Sequence, residues 1–289
     1  MKKALIIVAS IFLLVFSSCK GQSTIDISEV SPWCIVTFDK LKRTPEQRIN
    51  MLKDLGLKKY GYNWRENNLV DTKNEFKLAK ENGIEITSTL IWLNAKRDSI
   101  GKLSPRNQKM LSILKETDTK PIVWVSFSNN FFKKLNHEAS VNLAIDFIKD
   151  VKTKTDEAGC QLALYNHKGW FGNPYNQIEI LERLQKENIN LKMVFNFHHA
   201  HDFVDDFSEI FKKIKPYTCH INLNGMVNSD KKIFTLGEGK HEQQMIKTLI
   251  ENGYLGSWGI LGHINEEDVE EVLKRNIEGY ISLMSAMKK

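Results

Sequence analysis

Histidine is the side chain best suited to carrying protons near neutral pH, and this chain distributes its eight unevenly. His167 stands in Tyr165-Asn166-His167-Lys168-Gly169-Trp170, and His198, His199 and His201 fall within Asn196-Phe197-His198-His199-Ala200-His201-Asp202. His220 precedes Asn222-Leu223-Asn224-Gly225, and His263 follows Gly262. Asn, Arg and Trp gather in the same way in Asn63-Trp64-Arg65-Glu66 and Trp92-Leu93-Asn94. Aromatic faces cover the apolar C–H surface of a pyranose, while Asn, Arg and His exchange hydrogen bonds with its hydroxyls. The combination suits proton transfer on a sugar. His167 and His199 are the candidate acid and base, with Glu66 as an alternative base. Asn166, Asn196, Asn222 and Asn224 would orient hydroxyls, and Arg65 or Lys168 would bring a positive charge to the site. Trp64 and Trp170 would stack on the ring, with Asn63, Trp92 and Trp124 completing the binding surface.

Each of these residues has a plainer reading. Glu66 reads equally as a surface carboxylate paired with Arg65. His220, inside an apolar run, reads as a hydrogen-bonded core histidine, and strand Trp as barrel filling. Side chains alternate along a strand, so His198, His199 and His201 cannot all face the core, and at least one of them points into the mouth. The run Lys212-Lys213-Ile214-Lys215 is a solvated helix face.

Eight short β-rich runs position these groups: 33–38, 58–62, 84–92, 121–127, 160–165, 191–197, 217–222 and 257–261. Amphipathic stretches with start signals lie between them. Thr44-Pro45-Glu46-Gln47 supplies a cap, a proline at the first helical position and a capping-box Gln. Asn173-Pro174 opens another helix, Asn265-Glu266-Glu267-Asp268 puts acids in a first turn, and Gly83 and Gly253 end helices. Eight strand–helix units after a polar linker make an α/β fold, a single-domain (β/α)8 TIM barrel, over residues 32–289. Thr37-Phe38-Asp39-Lys40 after the first strand is not a Gly-rich phosphate loop, which argues against a doubly wound nucleotide-binding sheet. In such a barrel the chemistry sits at the C-terminal ends of the strands, where all the clusters above fall. The long connections Asn94–Ser104 and Asn224–Lys240 lie on the same face and suit substrate loops.

Four of the motifs, Tyr165 to Gly172, Asn196 to His201, Asn222 to Met226 and Gly259 to His263, resemble a group within the sugar phosphate isomerase/epimerase superfamily, the xylose-isomerase-like TIM barrels. The resemblance covers nearly the whole chain after the linker. It implies proton removal from a carbon α to a carbonyl, by an isomerase, epimerase or lyase/hydratase, with a divalent metal holding the substrate. The family holds that metal with a Glu, Asp, His, Glu set at the ends of strands 5 to 8. Here the corresponding places carry Tyr165 or Asn166, Asn196, Asn222 and the segment Leu261 to His263, with no carboxylate. Two expectations follow: a rebuilt His-centred site for Mn, Co, Zn or Fe, drawing on His167, His199, His201 and His263, or a metal-free pocket. Tyr165-Asn166-His167 also resembles the strand-5 segment of inosose dehydratase. The group's exported members are associated with the breakdown of oxidised glycosides, which implies an unphosphorylated keto-sugar or glycoside-derived substrate.

The chain has 289 residues, 42% hydrophobic and 26% charged, which excludes a disordered or low-complexity protein. Its net charge of +6 is partly that of Lys2 and Lys3 and is too scattered for nucleic acid. Lys2-Lys3, the apolar run 4–16 and Ser17-Ser18-Cys19 form a lipoprotein-type signal, with residues 1–18 removed and Cys19 acylated. Residues 19–31 would then be a tether, and the protein would be exported and held to a bacterial membrane, facing the periplasm. Cys34, Cys160 and Cys219 lack CxxC spacing and read as buried reduced thiols. Two functions remain: a carbohydrate-active enzyme of the kind just described, or a non-catalytic sugar-binding lipoprotein on a degenerate isomerase barrel.

Overall fold

A computed structural model describes residues 25–228, 233–264 and 266–287. The signal segment with Cys19, and Asn265, lie outside the described residues. Eight parallel strands are found: β1 (Ser31–Trp33), β2 (Lys59–Tyr62), β3 (Glu85–Leu93), β4 (Ile122–Phe127), β5 (Gln161–Tyr165), β6 (Lys192–Asn196), β7 (Thr218–Leu223) and β8 (Ser257–Leu261). They pair in the order β1-β8-β7-β6-β5-β4-β3-β2, which is a (β/α)8 barrel with its seam between β1 and β2. Nine helices surround it among the described residues: α1 (Pro45–Asp54), α2 (Leu69–Glu81), α3 (Pro105–Thr117), α4 (His137–Glu157), α5 (Gly169–Gly172), α6 (Pro174–Lys186), α7 (Phe207–Ile214), α8 (Glu242–Glu251) and α9 (Val269–Met287).

The expected start signals operate. Thr44 caps α1 with the reciprocal Thr44–Gln47 bonds of a capping box, and the Asn173 side chain caps α6 ahead of Pro174. The first strand departs most from the expected 33–38. Cys34 adopts φ +65°, a left-handed backbone that no strand continues through, so β1 ends at Trp33 and begins earlier, at Ser31.

Strand periodicity sorts the side chains into two cores. In β4, Val123, Val125 and Phe127 face the helices, while Trp124 joins Trp33, Leu90, Ala163, Tyr165, Val194 and Leu261 inside the barrel. At the seam, a Cβ on Gly61 would stand 2.7 Å from the Trp33 ring and 2.9 Å from Ser88 Oγ, so only glycine lets β1 and β2 approach. Thr37 Oγ1 donates to Asn63 Oδ1 at 2.6 Å nearby.

Candidate active site

A cavity of about 430 Å³ opens at the C-terminal ends of the strands. Its indole wall is Trp33, Trp64 and Trp92, and Trp64 is fixed by its Nε1–H donating to the Leu90 carbonyl at 2.9 Å. Asn63 and Arg65 after β2, His167 after β5, Asn196, His198 and His199 at β6 and His263 after β8 complete much of the lining. His167 and His199 come together as expected, their ring centroids 4.3 Å apart.

The β6 end achieves this by breaking the strand rule. Asn196 accepts from the His198 amide with its side chain and starts a 3-10 turn over Phe197–His199, and a second turn runs over His201–Phe203. Three residues per turn fan successive side chains round the axis, so His198 and His199 both line the cavity instead of alternating across a sheet. Tyr165 then holds His199. Its phenol oxygen accepts from Asn196 Nδ2 at 2.8 Å, and the hydroxyl is hydrogen-bonded to His199 Nε2 at 3.2 Å. The Nδ1 atoms of His167, His198 and His199 are buried without a protein partner, a demand that a bound ligand can satisfy.

Burial keeps these imidazoles neutral. It takes His167 down to about 4, with Lys168, Arg65 and His263 adding repulsion, and His198 down to about 3. His263 falls to about 4 for the same reason, and His199 is also pushed well below the usual histidine value. A neutral imidazole carries one lone pair and one N–H, so each can take or give a proton.

Several expected residues lie elsewhere. Trp124 is buried below the cavity, its ring centroid 4.3 Å from that of Trp33 in a tilted pair and 5.3 Å from that of Tyr165. Trp170 packs on Phe132 and His137 instead of on a ligand. Asn166 is spent on β6, its amide donating to the Asn196 carbonyl and its Oδ1 accepting from the Asn196 amide. Asn222 accepts from His220 Nε2 at 2.9 Å, and Asn224 donates to the Gly225 carbonyl, both fully buried. His220 is thus the hydrogen-bonded core histidine of its plainer reading. Glu66 is exposed and lies 3.5 Å from Arg97, not Arg65, so it is not placed as a base. Lys168 and His201 line a neighbouring cavity of about 350 Å³ that shares the His198 and His199 wall.

Other lining residues escaped the sequence reading: Tyr165 as a site residue, Cys34, Phe38, Arg97 and Arg106. Tyr165 shares the interior-facing parity of its strand end, a usable signal. Arg97 and Arg106 sit in the loop after β3 and the first turn of α3, where sequence spacing says nothing about direction. The buried Cys34 thiol is pushed up to about 12 by burial.

No family model and no curated protein matches this chain. Solved structures do. A 3-keto-D-glucoside 4-epimerase from E. coli is similar over 90% of this chain and 97% of its own, at 14% identity and TM-score 0.59. A xylose isomerase-like TIM barrel protein from Mycobacterium smegmatis, in complex with magnesium, covers 89% and 96% at 14% identity and TM-score 0.58. The IOLI protein with a bound zinc atom covers 89% and 99% at 13% identity and TM-score 0.67. The fold is therefore that of the xylose isomerase-like TIM barrels.

The metal in two of those structures makes the donor set here worth testing. Among the described residues no three His, Cys, Asp or Glu side chains converge to hold an ion. His201, one of the four imidazoles expected to ligate, donates through Nδ1 to the Val227 carbonyl at 2.7 Å and faces the neighbouring cavity. The ends of β5 to β7 present a phenol and amides where the resemblance places anions. The expected set His167, His199, His201 and His263 is thus not assembled in one place among the described residues, since His201 faces the neighbouring cavity.

Proposed function

We propose that the protein is a carbohydrate-active isomerase, epimerase or lyase/hydratase that moves a proton α to a carbonyl on an unphosphorylated keto-sugar or glycoside-derived substrate. The observation that carries this reading is the pair of neutral imidazoles, His167 and His199, side by side in an indole-walled cavity. A neutral imidazole takes the proton from the carbon next to the carbonyl. The electron pair moves into the carbonyl, and the resulting enediolate oxygen is balanced by a cation such as Arg65 on the cavity rim. The proton then returns to the former carbonyl carbon while the hydroxyl proton of the first carbon passes to the enediolate oxygen, which is isomerisation, or the enolate expels a β-leaving group that takes up the proton, which is elimination. No sugar ring fits between two imidazoles whose centres are 4.3 Å apart. Their adjacency supports transfer on one face of the sugar over inversion by bases on opposite faces.

The test is α-proton exchange in deuterium oxide with 3-keto-glycosides and other keto-sugars, run with and without added Mn, Co, Zn or Mg. The expected result is exchange that falls about 100-fold or more in His167→Gln and in His199→Gln. Absence of exchange under every condition would sink the enzyme. Sugar binding without exchange, unchanged in a His167→Ala/His199→Ala double variant, would establish the binding-protein reading instead. Export and lipid anchoring at Cys19 belong to the same proposal, supported by the signal pattern of residues 1–19. Fatty-acid labelling of the protein in cells should be abolished by Cys19→Ser.

A further inference from the structure

The cavity has a charge asymmetry that proton transfer alone does not require. Arg65, Arg97 and Arg106 line it, and no Asp or Glu is among its described lining residues. The three come from separate segments, after β2, within the loop after β3 and from the first turn of α3, and share this cavity with the imidazoles at the ends of β5, β6 and β8.

These guanidinium groups are sparsely partnered. Arg106 has one long bond, from Nη2 to the Trp92 carbonyl at 3.4 Å, and its Nε is buried without a partner. Arg65 donates to the Trp64 carbonyl, lies 5.8 Å above the Phe38 ring and makes no ion pair among the described residues. Arg97 faces Glu66 at 3.5 Å, but both side chains are more than half exposed, and such a pair is weak and readily exchanged. The buried carboxylate of Asp98, next to Arg97 in the chain, is already committed to the amides of Asn94 and Ser104 and to Asn107 Nδ2.

We infer that the sugar filling this cavity carries an oxyanion, a carboxylate or a sulfate ester, which docks on Arg97 and Arg106 and turns the reacting carbons toward Arg65, His167 and His199. Guanidinium groups match such oxyanions with paired, charge-assisted bonds. Neutral hydroxyls would be served as well by Asn, Gln or Ser, without the cost of gathering like charges. A bound anion would also offset the repulsion that Arg65 and Lys168 exert on His167. The inference rests on the cavity being the substrate site of the function proposed above.

Calorimetry on the purified protein tests it with methyl glucuronide, glucose 6-sulfate and neutral methyl glucoside. Expected is a preference of at least about tenfold for one charged sugar over the neutral one, the scale of one hydrogen bond to a charged group. The two charged arms distinguish carboxylate from sulfate. The preference should shrink with added salt and collapse in Arg106→Gln and in Arg97→Gln, each verified as folded by thermal melting. Equal or tighter binding of the neutral sugar, no binding of any of the three, or a preference that survives both substitutions would overturn the inference. Binding is read without turnover, so a charge preference with no proton exchange sinks only the enzymatic reading. Exchange on a neutral keto-sugar without charge preference sinks only this one.

Discussion

Tyr165 stands where the resemblance places a metal-binding carboxylate, and its surroundings give it a different task. Burial pushes its phenol well above the usual tyrosine value, so it stays protonated and can only share its hydrogen. Asn196 donates to its oxygen, and the hydroxyl is in turn hydrogen-bonded to His199 Nε2. That holds the ring of one member of the imidazole pair, so Tyr165 acts through His199 as a positioning residue. Tyr165→Phe keeps the ring that packs against Trp33 and Trp124 and removes the hydroxyl that bonds His199 and accepts from Asn196. On the proposed activity, kcat and kcat/KM should fall together by about tenfold, with KM little changed, since the lost interaction orients a proton donor and does not bind sugar. A change confined to KM would place the phenol on the substrate instead.

Between strands and helices, the short link from β5 to α6 decides where His167 sits. Gly169 has φ +76°, where a Cβ would press on the Asn129 backbone at 3.1 Å, and a Cβ on Gly172 would stand 1.6 Å from the His167 carbonyl oxygen. Gly172→Ala must therefore displace the backbone that carries the imidazole. Stability should drop by about 1–3 kcal/mol in denaturant titration, and the proposed activity by about 100-fold, as expected of a catalytic group moved by an ångström. Retained activity in a folded Gly172→Ala variant would show that His167 need not be held in place. This link also marks the boundary of what the sequence discloses. Capping signals at Thr44 and Asn173, helix-ending glycines and the rhythm of apolar runs gave eight strands within a few residues, because each is a local preference. The direction of a side chain beyond a strand end is not local. Asn222 and Asn224 read as hydroxyl binders yet are spent inside the fold, and Trp170 turns to Phe132 because α5 begins one residue before it. The 3-10 turn that brings both His198 and His199 into the cavity is set by the Asn196 side chain, which the alternation rule does not anticipate.

Across the whole barrel, the buried imidazoles link stability to pH. His167, His220 and His263 are each lowered to about 4 from an ordinary value of 6.5, and His198 to about 3, in every case chiefly by burial. In the unfolded chain these groups take up protons as pH falls through 6.5, while in the folded barrel they remain neutral until near pH 4. The unfolded state binds more protons in that window, so stability is full above 6.5 and declines as the pH drops toward 4. For His220, fully enclosed beside Trp124 and bonded to Asn222, the loss is on the order of 1–2 kcal/mol by pH 5. Thermal melts from pH 7.5 to 5 should show Tm falling continuously, and falling less steeply in His220→Gln, whose side chain has no proton to take up. The same burial predicts that the proposed activity does not lose its base at 6.5. Its acid limb should track the melting of the fold, with kcat/KM level down to about pH 5. An activity limb centred near 6.5 in protein that is still folded would mean that the catalytic imidazoles are hydrated as ordinary surface histidines are, and that the enclosed, neutral pair is not the working form of the site.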